Sequence, residues 1–304
     1  MRIKVKILWL LCFVAILNGC NEDEDFPDIV DIPDTNFLRA LIEAGLDTNE
    51  DSAISIYEVQ YVRVLDVSGK NINDLTGIES FKNLRELDVS INELKVVDVS
   101  KNTTLLFLNC VGNKINTLDL SKNIQLEELW CFSSELFTLD LSKNVNLEMI
   151  LCDDNPFSEL NCSNLPSLRY LRCHNTHLKN LKITNCKNLE LIFCHDDSRY
   201  GGFTQQLTDL DFSGCTNLAH LFCYGNKLTS LNVTDCINLE TLELDENPLE
   251  MIDLSNNTML RNISLRDMPT LSKVCVWKMP ISSNKVIVDT SGSPNVYFTT
   301  DCSK

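Results

Sequence analysis

Glycine and positive charge are both scarce in this chain: 10 residues of 304 are glycine, and 26 lysines and arginines face 43 acidic residues. The formal charge of -17 is opposite in sign to what a phosphate-binding surface needs, so nucleic acid is not an expected partner. No nucleophile elbow, H-E-x-x-H, phosphate loop or Ser-His-Asp ordering is present, and no enzyme activity is expected. The 14 cysteines are too sparse for a disulfide-stapled miniprotein and form no C-x-x-C metal pattern. What the chain does have is 44% hydrophobic residues, which excludes disorder, and 46 Leu with 32 Asn, a bias that points to a repeat.

The amino terminus carries Arg2, Lys4 and Lys6, then the apolar run Ile7 to Leu17, then Asn18-Gly19-Cys20. The run is too short to span a bilayer and reads as a secretory signal over residues 1–19. A small residue just before a cysteine resembles a bacterial lipobox, which implies lipidation of Cys20 and anchorage to a membrane by several acyl chains. The run Asn21-Glu22-Asp23-Glu24-Asp25 resembles the surface-export tags of Bacteroidetes-type lipoproteins, and residues 20–33 read as an acidic tether. The expected location is the outer membrane, exposed at the cell surface.

From Leu84 the pattern L-x-x-L-x-(C/V/L)-x-x-N-x-L restarts at Leu105, Leu126, Leu147, Leu168, Leu189, Leu218, Leu239 and Leu260. The fourth position is Leu or Ile throughout, so every turn sends the same apolar side chains inward. Asn92, Asn113, Asn155, Asn226 and Asn247 stand at the ninth position, where an amide satisfies backbone groups freed as the chain leaves a strand. Residues 62–272 resemble leucine-rich-repeat proteins with short, internalin-like repeats. The resemblance implies an α/β repeat solenoid, a right-handed coil with a parallel concave sheet. Both halves of a turn read as extended. The first half is assigned to the sheet because its outward positions vary, whereas the second half repeats Asp and Ser, as in Leu118-Asp119-Leu120-Ser121.

Solenoids need caps at both ends. Residues 34–61 read as a helical amino-terminal cap, and the period is lost over 273–304, which reads as a β-rich carboxy-terminal cap. Within the first cap, Asp47 to Glu58 fits a twelve-residue EF-hand-like loop, with Asp47, Asn49, Asp51, the Ala53 carbonyl, Ser55 or a water, and Glu58 as the Ca²⁺ ligand set. Ser52 replaces the glycine expected at position six. In the second cap Cys275 and Cys302 lie outside the period, and an oxidising compartment favours their pairing.

Cys110, Cys131, Cys152, Cys173, Cys194 and Cys223 occupy the sixth position of successive turns and read as a ladder of buried thiols rather than disulfides or metal ligands. Cys186, Cys215 and Cys236 stand where other turns carry Asn102, Asn123 and Asn144. His174 and His195 fall at one position of adjacent turns, a spacing open to a shared metal but lacking a clear third ligand.

Positions three, five and seven of each turn point outward from the sheet. They place Phe107, Trp130, Phe132, Tyr170, Arg172, His174, Phe193, His195, His220, Phe222 and Tyr224 on one face, with Met149, Leu151 and Leu191 among them. Glu86, Asp88, Glu243 and Asp245 form a polar margin. A sheet face washed only by water should be polar, so this one is a candidate binding surface for an extracellular protein. Glycan capture and a structural, self-associating envelope role are the alternatives. An eight-residue insertion around Asp196 to Phe203 leaves the coil beside Phe193 and His195. The resemblance implies non-enzymatic recognition or adhesion.

Overall fold

The computed structural model describes residues 28–196, 206–281 and 285–303. The proposed lipidation site Cys20, the acidic export run and most of the insertion lie outside the described residues. An 11-stranded, all-parallel sheet runs the length of the coil, from Val64–Asp66 through Glu86–Asp88, Phe107–Asn109 and Glu128–Trp130 to Ile287–Asp289. Its strands come from the first half of each turn. The register aligns Leu65, Leu87, Leu108, Leu129, Ile150, Leu171, Ile192, Leu221, Leu242, Ile263 and Val288 as one ladder. Most of these side chains are sealed from solvent. The 21-residue spacing sets this register, because a shift of one residue would turn the ladder out into water.

The second halves are extended too, and form short parallel sheets of their own: Glu159–Asn161 with Asn180–Lys182, Asp209–Asp211 with Ser230–Asn232, and Met251–Leu254 with Lys273–Val276 and Tyr297–Thr299. Among the described residues helix is confined to α1 (Thr35–Glu43), α2 (Ile56–Val59) and one 3₁₀ turn, so the α content expected of an α/β solenoid is restricted there to the amino-terminal end. The repeated Asp and Ser form tight turns. Asp98, Asp119, Asp140, Asp211 and Asp253 each accept the backbone N–H of the serine two residues on, at 2.9 Å.

Buried amides join the turns. Asn226 Nδ2 donates to the Cys194 and Cys223 carbonyls at 2.9 and 3.1 Å, while its Oδ1 accepts from Leu207 N–H at 3.1 Å. In the second row Asn123 donates to the carbonyls of Val99 and Asn102, and Asn144 to those of Leu120 and Asn123. The thiols of Cys186 and Cys215 reach equivalent carbonyls, Cys162 and Ile183, at 2.9 and 3.1 Å. Cysteine thus replaces asparagine as a donor that pairs a carbonyl of the preceding turn.

Two expected boundaries move. Residues 28–32 are not a free tether: Val30 N–H donates to Ile54 O at 2.7 Å, Ile56 N–H donates to Asp28 O at 2.9 Å, and Val30 is buried. This segment lies so close to Gly77, at φ 105°, that an added Cβ would sit 2.7 Å from Ile32 and 2.9 Å from the Asp31 carbonyl. At the other end residues 273–281 and 285–303 continue the coil, adding strands to both sheets although the leucine consensus is gone. Cys275 and Cys302 are joined in a disulfide with Cα atoms 5.5 Å apart.

Candidate partner-binding face

Parallel pairing at about 4.8 Å per strand stacks outward side chains into columns. The fifth-position column runs Asp88, Asn109, Trp130, Leu151, Arg172, Phe193, Phe222, Glu243. Phe193 and Phe222 lie face to face, centroids 4.7 Å apart and planes within 11°. In the next column His174, His195 and Tyr224 form a second pile, with centroid spacings of 4.6 and 4.4 Å. Phe107 meets Trp130 edge to face at 5.2 Å, and Tyr170 leans on Phe193 at 6.0 Å. Ten of the eleven expected contact residues are half-buried and His195 is buried, so none is fully exposed. The side chains hold one another in place before any partner arrives.

A charged centre sits among the rings. Asp153, buried at the seventh position of its turn, accepts from Arg172 Nε at 2.5 Å and has His174 Nε2 3.9 Å away. Burial raises the Asp153 carboxyl above the ordinary carboxylate range, against the hydrogen bond and charge of Arg172 and the charge of His174. The Arg172 guanidinium also lies 4.8 Å from the centroid of the Phe132 ring. Asp153 escaped the sequence argument, which followed aromatics; tracing the whole seventh-position column, Phe132, Asp153, His174, His195, would have found it. The two imidazoles stack at 17° rather than converge, so adjacency along the sheet brings their faces together instead of their nitrogens to one ion.

The calcium loop has part of the expected shape. Ser52 takes the left-handed backbone at φ 66° that glycine usually supplies, and Asp47 accepts from Asp51 N–H and Ser52 N–H. Both Glu58 oxygens are occupied elsewhere, one by Thr48 N–H and Oγ1, the other by Ser55 N–H and Oγ in a capping box on α2. A Ca²⁺ sphere with bonds of about 2.5 Å keeps its ligands within about 5 Å of one another. The ligand atoms of Asp47, Asp51 and Glu58 are not gathered to within 4.8 Å. As arranged, these side chains are hydrogen-bonded within the loop. Among the described residues the one acidic or thiol trio that is so gathered is Asp253, Cys275 and Cys302, where the two sulfurs already bond each other.

The thiol ladder is fully enclosed. Burial pushes Cys110 up to about 12, and drives Cys131, Cys152 and Cys173 well above the ordinary thiol range. At Cys152 the opposing charge of Arg172 is outweighed by burial, so these thiols stay protonated and act as packing groups.

The coil, its eleven-strand parallel sheet and its asparagine and cysteine rows define a leucine-rich-repeat solenoid. Among solved structures, the chain is similar to the functional domain of InlJ from Listeria monocytogenes, with 26% identity and a TM-score of 0.72 over 87% of this chain. The match covers 61% of that chain, which is described as including a cysteine ladder. The fold is also shared with a leucine-rich-repeat protein of Leptospira interrogans, at 17% identity, TM-score 0.57, 80% of this chain and 75% of the other. A third likeness is to the LRIM1/APL1C complex, at 16% identity, TM-score 0.54, 80% of this chain and 48% of that one. No protein-family model and no curated protein matches the chain.

Proposed function

We propose that the protein is a non-enzymatic recognition module that binds a protein partner through the ring-lined face of its principal sheet, and that it is held at the outer-membrane surface through lipidated Cys20. The observation that carries the reading is the double pile of rings, Phe193 on Phe222 and His174 on His195 on Tyr224, fixed on a rigid sheet. Preorganised aromatic anchors lose little conformational entropy when covered, which is the property of interface hot spots. The same stacking argues against glycan capture. Sugars lie flat on exposed ring faces, and here those faces are turned to one another, leaving mainly ring edges outward.

The test is capture of extracellular host proteins and glycans by residues 21–304, comparing the native chain with a Trp130→Ala, Phe193→Ala, Phe222→Ala variant of matched thermal stability. The expected result is a protein ligand held by the native chain and weakened at least about tenfold in the variant. Equal capture by both chains overturns the face, and selective capture of glycans overturns the ligand class.

A further inference from the structure

The charge on this face is unevenly settled. In its central and carboxy-terminal parts, three acidic groups have cations of their own: Asp153 has Arg172, Glu190 has Arg169 at 2.9 Å, and Asp245 has Arg266 at 2.7 Å, a cation whose charge also acts on Glu243. At the amino-terminal part the pattern stops. Glu86, Phe107, Glu128 and Met149 are consecutive partners across four strands, and Glu127 and Glu148 flank them in successive turns. Among the described residues none of these four glutamates takes a hydrogen bond or an ion pair through its side chain. Asp88, next to Glu86, is hydrogen-bonded by Ser90 and Asn109 but has no cation within ion-pair distance. Glu128 is half-buried, and burial together with the charges of Glu148, Glu127 and Glu86 raises its carboxyl above the ordinary range.

Glu86, Glu127 and Glu148 are exposed, and gathering their like charges around the half-buried Glu128 disfavours its charged form in the free protein. Beside them stand the edge-to-face pair Phe107 and Trp130, and the Trp130 indole N–H is shielded from water with no acceptor. The site therefore combines apolar anchors, an unused donor and uncompensated negative charge, in a chain that is itself strongly acidic. Its electrostatic complement is a cationic surface.

We propose that this part of the face receives a basic protein segment, whose lysine or arginine side chains neutralise Glu86, Glu127, Glu128 and Glu148 while its apolar residues cover Phe107, Trp130 and Met149. The proposal rests on the protein-binding reading above and specifies the partner's chemistry. Neutralising the glutamates relieves their mutual repulsion, so attraction to a basic partner exceeds that of a surface whose charges are already paired.

The probe is a set of synthetic peptides that share leucine and phenylalanine positions and carry lysine, glutamine or glutamate between them, titrated against the chain by fluorescence anisotropy. The lysine peptide is expected to bind best, losing about tenfold in affinity between about 50 and 300 mM salt. A Glu86→Gln, Glu128→Gln, Glu148→Gln variant should weaken it about tenfold. An Asp98→Asn, Asp119→Asn, Asp140→Asn variant, which changes net charge equally in the other half of the turns, should weaken it less than about threefold. The proposal is overturned if no peptide binds, if the glutamine or glutamate peptide binds as well as lysine, or if the two charge variants behave alike. The ring variant separates the two readings. If Trp130→Ala, Phe193→Ala, Phe222→Ala abolishes binding but the glutamate variant does not, the face stands and the basic partner falls. Should lysine selectivity survive undiminished in the ring variant, the aromatic face itself is refuted.

Discussion

Raising the pH above 9 should unfold this protein over a narrow interval, and the cysteine ladder sets how narrow. Five thiols of the ladder, Cys110, Cys131, Cys152, Cys173 and Cys194, together with Cys162 in the other half of a turn, are sealed from solvent and pushed far above the reference value of 9.0, chiefly by burial and, at Cys194, first by its hydrogen bond with Cys223; burial raises Cys186, Cys215 and Cys236 as well. The native state keeps their protons at a pH where the unfolded chain releases them. Because the native state then binds more protons, stability falls as pH rises through about 9. Each thiol contributes a loss of about 0.4 kcal/mol at pH 9 and about 1.4 kcal/mol at pH 10. Six acting together remove about 2.5 kcal/mol at pH 9 and about 8.5 kcal/mol at pH 10, comparable to the whole stability of an ordinary domain. Urea denaturation under anaerobic conditions, with the disulfide intact, should show stability falling by at least about 7 kcal/mol per pH unit near pH 10. A Cys131→Ala, Cys152→Ala, Cys173→Ala variant should be less stable at pH 7 but lose only about two thirds as much per pH unit. A native chain whose stability is flat through pH 10, or a variant with an unchanged slope, would refute the reasoning.

Other expectations follow from the same packing. Asn123→Cys should stay within about 1 kcal/mol of the native chain, because a thiol already makes the equivalent bond at Cys186 and Cys215, whereas Asn123→Val should cost about 2–3 kcal/mol by leaving two carbonyls unpaired; thermal melts of both variants decide this. The Cys275–Cys302 bridge closes a loop with a sequence separation of 27, so a Cys275→Ala, Cys302→Ala variant should lose about 3.5 kcal/mol in urea titrations, and a loss below about 1 kcal/mol would show that the terminal strands need no covalent tie. Since Glu58 is engaged by Thr48 and Ser55, Glu58→Ala should lower stability by about 1 kcal/mol in calcium-free buffer. Adding about 5 mM CaCl₂ to the native chain should move its melting temperature by less than about 1 °C, and a larger rise would show that the loop reorganises around the ion.

The repeat, its register and the inward leucines were legible in the amino-acid sequence because a 21-residue period with an apolar fourth position has one way to bury itself. The same period assigned the cysteines to enclosed rows and placed Phe107, Trp130, Phe193 and Tyr224 on a common face. Where the consensus fades the sequence was a weaker guide: Val274, Val288 and Phe298 still build strands, but a pattern search looks for leucine rather than for alternation. The docking of residues 28–32 was invisible for another reason, since it depends on backbone pairing with Ile54 and close approach to Gly77, neither of which leaves a local composition signal. Only the tertiary structure decided how side chains in one column meet. It stacked the rings on one another and the imidazoles face to face, gave Asp153 its arginine and, among the described residues, left Glu86, Glu127, Glu128 and Glu148 without an ion pair. A periodic sequence fixes which residues share a face, whereas rotamers and cross-strand spacing determine which charges on that face are neutralised and which await a partner.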